Sequence, residues 1–178
     1  MKCPLSLRKT LALTSLTLLA LAVSTRAQTI PNPSFEADTF TVPPGYVSGN
    51  GAITSWTGSD NGRVGLNPAS GSPFADNGTI PNGNNVAFVQ SSGSATTFNT
   101  VISDLIVGTA YKVNFRVNAR GGNTPNLKVE IDATRIIDTG ITPVTGSNPY
   151  KYFAFDFTAT ATSQTMTLRN DAGTGGGD

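Results

Sequence analysis

The sequence predicts an all-β protein: an antiparallel sandwich or barrel of about eight or nine strands that follows a secretory signal peptide. Short runs rich in β-branched and aromatic residues alternate apolar and polar positions, and clusters of Gly, Asn, Ser and Pro separate them. Helical periodicity is missing after the leader. Only 13% of the residues are charged, whereas 19 of the 178 are glycine and 11 are proline, a composition typical of a domain with many turns.

Residues 1–27 have the features of a signal peptide. Three basic residues precede the 13-residue apolar run Leu11–Val23, and Thr25 and Ala27 occupy the small-residue positions of a cleavage site. An apolar run of this length is too short to anchor the chain across a bilayer. We therefore predict cleavage after Ala27, no membrane span in the mature protein, and a secreted or cell-surface location, extracellular or periplasmic. Residues 28–178 would form one β-sandwich domain.

The composition excludes several kinds of chemistry. The leader carries four of the 12 basic residues and none of the 11 acidic ones, so the mature chain would have a net charge of −3. Without a basic stripe, nucleic acid is not an expected partner. Histidine is absent and the only cysteine, Cys3, lies in the leader, which excludes Ser-His-Asp and Cys-His catalysis and His-ligated zinc. A metal ion, if one binds, would be a hard cation held by oxygen, with calcium the leading candidate.

Four runs show the period-two alternation of half-buried strands, within residues 111–119, 127–132, 151–157 and 165–170. Their apolar residues should face the core, where each contributes roughly 1.5–3 kcal/mol when fully buried. The predicted inward residues are Tyr111, Val113, Phe115, Val117, Leu127, Val129, Ile131, Phe153, Phe155, Phe157, Met166 and Leu168.

Three further segments complete the predicted sandwich. Residues 84–92, "NNVAFVQSS", are more continuously apolar and predict a strand buried on both sides, with residues 95–105 as its neighbour. "AITSWTG" predicts a short strand with Trp56 in the core. The glycine-rich residues 171–178 are typical either of a loop before one more strand or of a frayed tail. We favour the loop, so the domain would lack its last strand and further domains could follow.

Six segments, taken in order, resemble the galactose-binding-like jelly-roll superfamily, which includes carbohydrate-binding modules and domains of exported, often C-terminally anchored bacterial proteins. The segments are "NPSFE" (32–36), "ITSWTG" (53–58), "GNNVAFVQ" (83–90), "LIVGTAYKVNFRVNAR" (105–120), "LKVEID" (127–132) and "YKYFAFDFTAT" (150–160). The resemblance implies an antiparallel jelly-roll β-sandwich in which Phe35 enters the core and Glu36 helps to bind a structural Ca²⁺. The alternative for Glu36 is a solvated or hydrogen-bonded acid at a strand end.

The polar faces of the alternating strands predict a ligand site, provided that these strands are neighbours in one sheet. Its members would be Asn114, Arg116, Asn118, Glu130, Asp132, Tyr152 and Asp156. Arg116 could form two parallel hydrogen bonds with sugar hydroxyls or a uronate, and Tyr152 could stack on a sugar ring. The alternative is an ordinary solvated face with cross-strand ion pairs such as Arg116 with Glu130. Tyr46 and Tyr150 lie in predicted loops and could add to the rim of such a site.

These observations favour an exported, non-catalytic binding module for carbohydrate. The alternative is a structural or adhesive domain of a bacterial cell surface or extracellular matrix, without a small-molecule ligand. We do not expect an enzyme, because the chain has only two glutamates, Glu36 and Glu130, and offers no carboxylate pair of the kind that glycosidases use.

Overall fold

The computed structural model describes residues 28, 30–38, 45–46 (backbone only), 53–59, 62–69, 71, 78–91, 93–147, 149–171 and 177. This part of the chain contains ten β-strands and no helix, which confirms the predicted all-β fold. In particular, none of the described residues form a helix long and apolar enough to cross a membrane.

Eight strands have five to eight residues and two have only two. They are β1 (Gly45–Tyr46), β2 (Thr57–Gly58), β3 (Val64–Pro68), β4 (Asn85–Val89), β5 (Thr96–Ile102), β6 (Ala110–Val117), β7 (Asn126–Ile131), β8 (Thr134–Gly140), β9 (Lys151–Thr158) and β10 (Gln164–Asn170).

The strands form two layers that share one core. One layer is a five-stranded sheet in the order β2-β5-β10-β7-β8. The other consists of two separate pieces, β1-β3-β4 and β6-β9. All strand pairs are antiparallel, as expected for a jelly-roll sandwich. One cluster of buried side chains takes members from the five-stranded sheet and from both pieces opposite it, for example Phe98, Leu66 and Phe155.

The alternation of apolar residues explains the core. Val113, Val129, Phe155, Phe157 and Met166 are all less than 10% exposed, as predicted, and Trp56 is also buried. A second group of predicted core residues is only half-buried and packs against the first: Tyr111, Phe115, Val117, Phe153 and Leu168. Several of these half-buried residues line a cavity between the layers, which is why they keep some exposure.

Strand pairing differs from the sequence prediction in two places. β4 pairs with β3 alone among the described strands and is mostly half-buried, so it is not the doubly buried central strand that its apolar run predicted. β5 lies in the opposite layer, between β2 and β10, and does not pair with β4. The prediction assumed that sequence neighbours pair, whereas a jelly roll sends successive strands across the sandwich.

Candidate functional site

A cavity of about 590 Å³ lies between the two layers. Its wall includes residues of β4, β5, β6, β7, β9 and β10, together with residues of the N-terminal segment from Ile30 to Phe35. The volume falls within the range of sites that enclose small molecules. The lining is mainly apolar and aromatic, so the cavity suits a ligand with a hydrophobic body.

Three aromatic residues that line the cavity pack against one another. The ring centroids of Trp56 and Phe98 are 4.6 Å apart and nearly parallel, and Phe35 lies 5.4 Å from Trp56 and 6.0 Å from Phe98. Trp56 donates its indole N–H to the carbonyl oxygen of Pro31 at 3.0 Å. The indole is therefore fixed by packing and by a hydrogen bond, and its ring presents a rigid apolar surface to the cavity.

The segment Pro31–Asp38 is a compact turn, not a strand. Asn32 and Phe35 both have left-handed backbone angles, with φ of 47° and 63°. The Asn32 side chain stabilises the turn: its Oδ1 accepts the N–H of Ala37, and its Nδ2 donates to Asp38 and to the carbonyl oxygen of Thr54. Asparagine tolerates the left-handed region better than most residues, which explains its place here. The turn directs Phe35 onto the core, as the resemblance implied.

Glu36 ties this turn to the loop before β4. Its Oε1 accepts the backbone N–H groups of Asn84 and Asn85 at 2.7 and 2.8 Å. The Asn85 side chain donates in return to the carbonyl oxygens of Phe35 and Asp38 at 2.9 and 3.0 Å. Because Phe35 and Asn85 both line the cavity, these bonds hold one of its walls in place.

Glu36 was also the predicted calcium ligand. The Oε1 oxygen already accepts two hydrogen bonds, and both oxygens of Asp38, the nearest acid along the chain, accept hydrogen bonds from Thr54. Among the residues that the structure describes, no group of three or more acidic, histidine or cysteine side chains could hold a metal ion. The structure thus shows Glu36 as a hydrogen-bond acceptor, and calcium binding by Glu36 stays a prediction.

The cavity opens between the two pieces of the split layer. Five consecutive residues of β4, Asn85–Val89, line it, and so do five consecutive residues, 114–118, along β6 and just beyond. Consecutive residues of a strand point to opposite faces, so a cavity that contacts all of them borders the edge of the strand. No described strand pairs with this second edge of β4 or β6. The two edges therefore border the opening of the cavity, which we call its mouth. Just beyond β4, Gly177 covers part of this edge by pairing with Ser91 through two backbone hydrogen bonds.

Arg116, Tyr152 and Asn114 lie together at this mouth. Arg116 and Tyr152 are directly opposite in the β6–β9 register, and the guanidinium carbon lies 5.6 Å from the centre of the tyrosine ring. The Tyr152 hydroxyl donates to Oδ1 of Asn114 at 2.8 Å. Arg116 also donates to the carbonyl oxygen of Tyr150 through Nη1, at a long 3.4 Å. The structure thus brings together three of the seven predicted binding residues.

Asp156 is on the same outer face but has a partner. Its carboxylate lies 2.8 Å from the ammonium of Lys112, its cross-strand neighbour. The hydrogen bond from that ammonium, followed by the charge of Asp156, raises the pKa of Lys112 above its usual 10.5. The Lys112 ammonium therefore stays protonated at neutral pH, beside the carboxylate of Asp156.

Two predicted binding residues, Glu130 and Asp132, lie elsewhere, which corrects the assumption of one shared face. β7 pairs with β8 and β10, not with β6 or β9, so Glu130 and Asp132 belong to the opposite layer. Glu130 lies 3.9 Å from Arg135 and forms no pair with Arg116. Asp132 accepts hydrogen bonds from Gln164 and from the backbone N–H of Thr165, so it holds the β7–β8 turn to β10.

Asn118 lines the cavity, but its side chain supports a loop. Its Nδ2 donates to the carbonyl oxygen of Val144 at 2.8 Å, and its Oδ1 accepts the N–H groups of Val144 and Ala119 at 3.0 Å. The two bonds to Val144 fix the connection between β8 and β9. The polar position of Asn118 in the alternating pattern was visible in the sequence, but its loop partner was not.

Sequence reasoning missed the cavity itself. Phe35, Trp56, Phe98 and Phe115 were interpreted only as core residues, yet they line the cavity. Tyr150, predicted in a loop rim, is only 8% exposed and also contributes to the wall, while the side chain of Tyr46 lies outside the described residues. Nothing in the sequence distinguishes aromatic residues that line a cavity from those that fill a core.

Comparison with known proteins identifies a family that matches this chain. A sequence model for the HpiC1-like family, described as HpiC1 cyclase, matches residues 26–168 of this chain. No curated protein matches the chain in sequence.

Solved structures with the same fold include two groups. The Stig cyclase FisC from Fischerella sp. TAU, solved with (3Z)-3-(1-methyl-2-pyrrolidinylidene)-3H-indole, superposes with a TM-score of 0.56 at 16% identity, covering 81% of this chain and 87% of that one. A cyclase from the same organism, solved with 4-(1H-indol-3-yl)butan-2-one, gives 0.55 at 17% identity with the same coverage. The carbohydrate-binding module TmCBM61, solved with β-1,4-galactotriose, gives 0.52 at 17% identity, covering 84% and 91%. At these identities the likeness shows a common fold.

Proposed function

This chain belongs to the HpiC1-like cyclase family, and on that premise we propose that it is an enzyme that closes a ring in a small, largely apolar molecule bound between its two layers. The observation that carries the proposal is the aromatic-lined cavity of about 590 Å³, which opens to the outside between β4 and β6.

The family match corrects the function predicted from the sequence. The chain was expected to be a non-catalytic carbohydrate-binding module or an adhesive domain, and not an enzyme; the match to a cyclase family overturns that expectation. The error has a chemical origin. The lack of a carboxylate pair argues against glycoside hydrolysis, but ring closure within one molecule needs no such pair.

The cavity supplies what an intramolecular cyclisation needs first, which is a folded substrate. A flexible molecule must bring two of its own carbons into contact, and a close-fitting apolar wall favours the compact conformers in which they meet. The rigid stack of Trp56 and Phe98 gives this wall a fixed shape. Exclusion of water from the same space protects a reactive carbon centre from hydration.

Aromatic faces can also stabilise the charge that such a reaction develops. When an alkene attacks an activated carbon, positive charge builds on carbon, and the face of an aromatic ring attracts a cation within about 6 Å. Phe35, Trp56, Phe98 and Phe115 all line the cavity. They are phenylalanine and tryptophan rings of the described wall that could stabilise such a charge.

The polar groups on the wall are amides, tyrosines and arginines. Among the described residues, no aspartate or glutamate lines the cavity, and the chain has no histidine. Proton transfer by a carboxylate or an imidazole at this wall is therefore not part of the proposal. The described side chains bind and orient the substrate and stabilise its charge.

Binding is the first test. We expect 4-(1H-indol-3-yl)butan-2-one, the ligand of the Fischerella cyclase, to bind the purified chain in isothermal titration calorimetry. Ala87→Phe places a bulky side chain on the cavity wall and should weaken this binding by roughly tenfold or more, because the ring occupies the ligand's space. Ala110→Phe, at the exposed start of β6 and away from the cavity, is the matched control and should bind as the parent does. Equal affinities of both variants would contradict the assigned site.

Ring closure itself is the second test. Cyclisation forms a carbon–carbon bond at the expense of a carbon–carbon double bond, so the product has the mass of the substrate and a different retention time. Indoles with an unsaturated side chain are the first substrates to screen, because the two Fischerella cyclases were solved with indole derivatives. Isomer formation that needs the native chain and is lost in Ala87→Phe would support the proposal. Equal formation in both proteins would contradict it.

Three predictions from the sequence stay untested beside this proposal. We propose export of the protein through residues 1–27, in keeping with a family match that begins only at residue 26. Calcium binding through Glu36 would be contradicted by a melting temperature that EDTA leaves unchanged. Carbohydrate is the second candidate ligand, since TmCBM61 shares the fold, and titration with β-1,4-galactotriose tests it against the indole ketone.

A further inference from the structure

The charges around the cavity are of one sign. Arg116, Arg120 and Arg169 are its charged lining residues, and no described acidic residue lines it. Arg169 has a partner of its own, because its Nε lies 3.7 Å from a carboxylate oxygen of Asp171. A cation beside a low-dielectric cavity attracts an anion more strongly than the same cation on an open surface.

Arg116 differs from other basic residues of the chain in its surroundings. Lys112, Lys128 and Arg135 each lie within 4.0 Å of a carboxylate, as does Arg169. Arg116 has no carboxylate partner among the described residues; its contacts there are the ring of Tyr152 and one long hydrogen bond to the carbonyl of Tyr150. The acid on its own face, Asp156, is held by Lys112. Most of the five guanidinium N–H donors of Arg116 therefore remain available to a ligand.

The guanidinium of Arg116 is held in position by contacts that leave most of its N–H donors available. Tyr152 supports it from one side through a cation–π contact, and the Tyr152 ring is in turn fixed by its hydroxyl bond to Asn114. A planar fork of donors that is already oriented loses little entropy when it binds a planar acceptor. Two parallel N–H···O bonds to a carboxylate are the arrangement that this geometry suits best.

We infer that the substrate of this cavity carries a carboxylate, which Arg116 binds at the mouth while the apolar body lies between the layers. The inference rests on the proposed function, because it assigns the substrate class to the same cavity. It makes Arg116 a specificity-determining residue and Tyr152 its positioning residue.

Two matched probes test the inference. 3-(1H-Indol-3-yl)propanoic acid differs from 4-(1H-indol-3-yl)butan-2-one only in that a carboxylate oxygen replaces the methyl group of the ketone. We expect the acid to bind on the order of tenfold to a hundredfold more tightly in calorimetry at neutral pH and low salt, as charge-assisted paired hydrogen bonds allow. This preference should shrink in high salt, because the mouth is exposed to solvent.

Variants assign the preference to Arg116. Arg116→Gln should remove the preference for the acid, because it weakens binding of the acid far more than binding of the ketone. Arg116→Lys should keep only part of it, since the charge remains and the fork is lost. Lys112→Gln removes the same charge from the same strand face, at a residue already paired with Asp156, and should keep the full preference.

The outcomes separate this inference from the proposed function. Binding of the ketone with no preference for the acid overturns the inference, but it does not contradict the proposed cyclase function of the cavity. A preference that survives in Arg116→Gln also overturns it, because another group must then bind the carboxylate. If neither probe binds and no unsaturated indole is cyclised, the proposed function fails and the inference falls with it.

Discussion

The Oε1 oxygen of Glu36 accepts the backbone N–H of Asn85 at 2.8 Å, across 49 residues of sequence. With the bond from Asn84, it joins the N-terminal turn to the start of β4. Glu36→Ala should lower the free energy of unfolding by about 1–2 kcal/mol, because two backbone donors lose a charged acceptor. Chemical denaturation measures the loss, and calorimetry should show weaker binding of the indole ketone, since one wall of the cavity loosens.

The chain's other glutamate is the control for this change. Glu130 lies 3.9 Å from Arg135 in the opposite layer, a geometry that contributes less than about 1 kcal/mol. Glu130→Ala should therefore cost less than Glu36→Ala and leave ligand affinity as it is. Equal losses in the two variants would show that the bonds of Glu36 do not stabilise the fold.

Gly83→Ala should disturb the same contact from the other side. A Cβ at Gly83 would lie 2.2 Å from Oε1 of Glu36, and the residue has a left-handed φ of +70°. Gly93 has nearly the same φ, +73°, with nothing near its Cβ position. Gly93→Ala should thus cost about 1–2 kcal/mol for the backbone alone, and Gly83→Ala about 1–3 kcal/mol more for the clash.

Combining the variants isolates the clash. In a Glu36→Ala background the carboxylate is gone, so Gly83→Ala should cost no more than Gly93→Ala. An unchanged excess cost in that background would mean that another group near Gly83 causes it.

Two threonines on β5 should respond in opposite ways to the same substitution. Both Thr96 and Thr100 are at most 2% exposed. The Thr96 hydroxyl has no hydrogen-bond partner among the described residues, whereas that of Thr100 donates to the carbonyl oxygen of Ser55 at 2.9 Å. Thr96→Val should raise stability by about 1 kcal/mol, because it removes a buried polar group without a partner. Thr100→Val should lower it by about 1–2 kcal/mol. Thermal denaturation followed by circular dichroism distinguishes the two directions.

Asn114 and Asn118, both predicted to bind ligand, should differ in what their loss affects. Asn118→Ala removes two hydrogen bonds to Val144 in the β8–β9 connection and one to the neighbouring Ala119, and should cost about 2–3 kcal/mol of stability. Asn114→Ala removes one exposed bond from Tyr152 and should cost less than about 1 kcal/mol. Urea denaturation of both variants provides the comparison, and a larger loss for Asn114 would contradict the structural role given to Asn118.

The sequence predicted which residues face inward but not which strands pair. Alternation placed Val113, Val129 and Phe155 in the core correctly, because burial of one strand face follows from local spacing. It could not place β7 beside β10, since pairing depends on contacts between residues far apart in the chain. The predicted polar face therefore combined strands from two layers.

The cavity could not be predicted from the sequence, for a related reason. Phe115 and Phe153 carry the same signal as Phe155 in the sequence, yet they are half-buried while Phe155 is buried. The sequence pattern identifies the apolar residues of the core, but it does not show where their packing leaves a cavity. Arg116, Asn114 and Tyr152 were correctly predicted to lie together, because β6 and β9 do pair, and their binding role stays a prediction.

The split layer has a further consequence for the behaviour of the protein in concentrated solution. β4 and β6 each end their sheet at the mouth of the cavity without a described partner strand there. An extended peptide could pair with the free edge of β4 or β6 and close the cavity. In concentrated solution the most abundant source of such a peptide is a second molecule of this protein. A ligand seated in the gap would compete with that association. We therefore expect the occupied protein to resist self-templated aggregation better than the empty one.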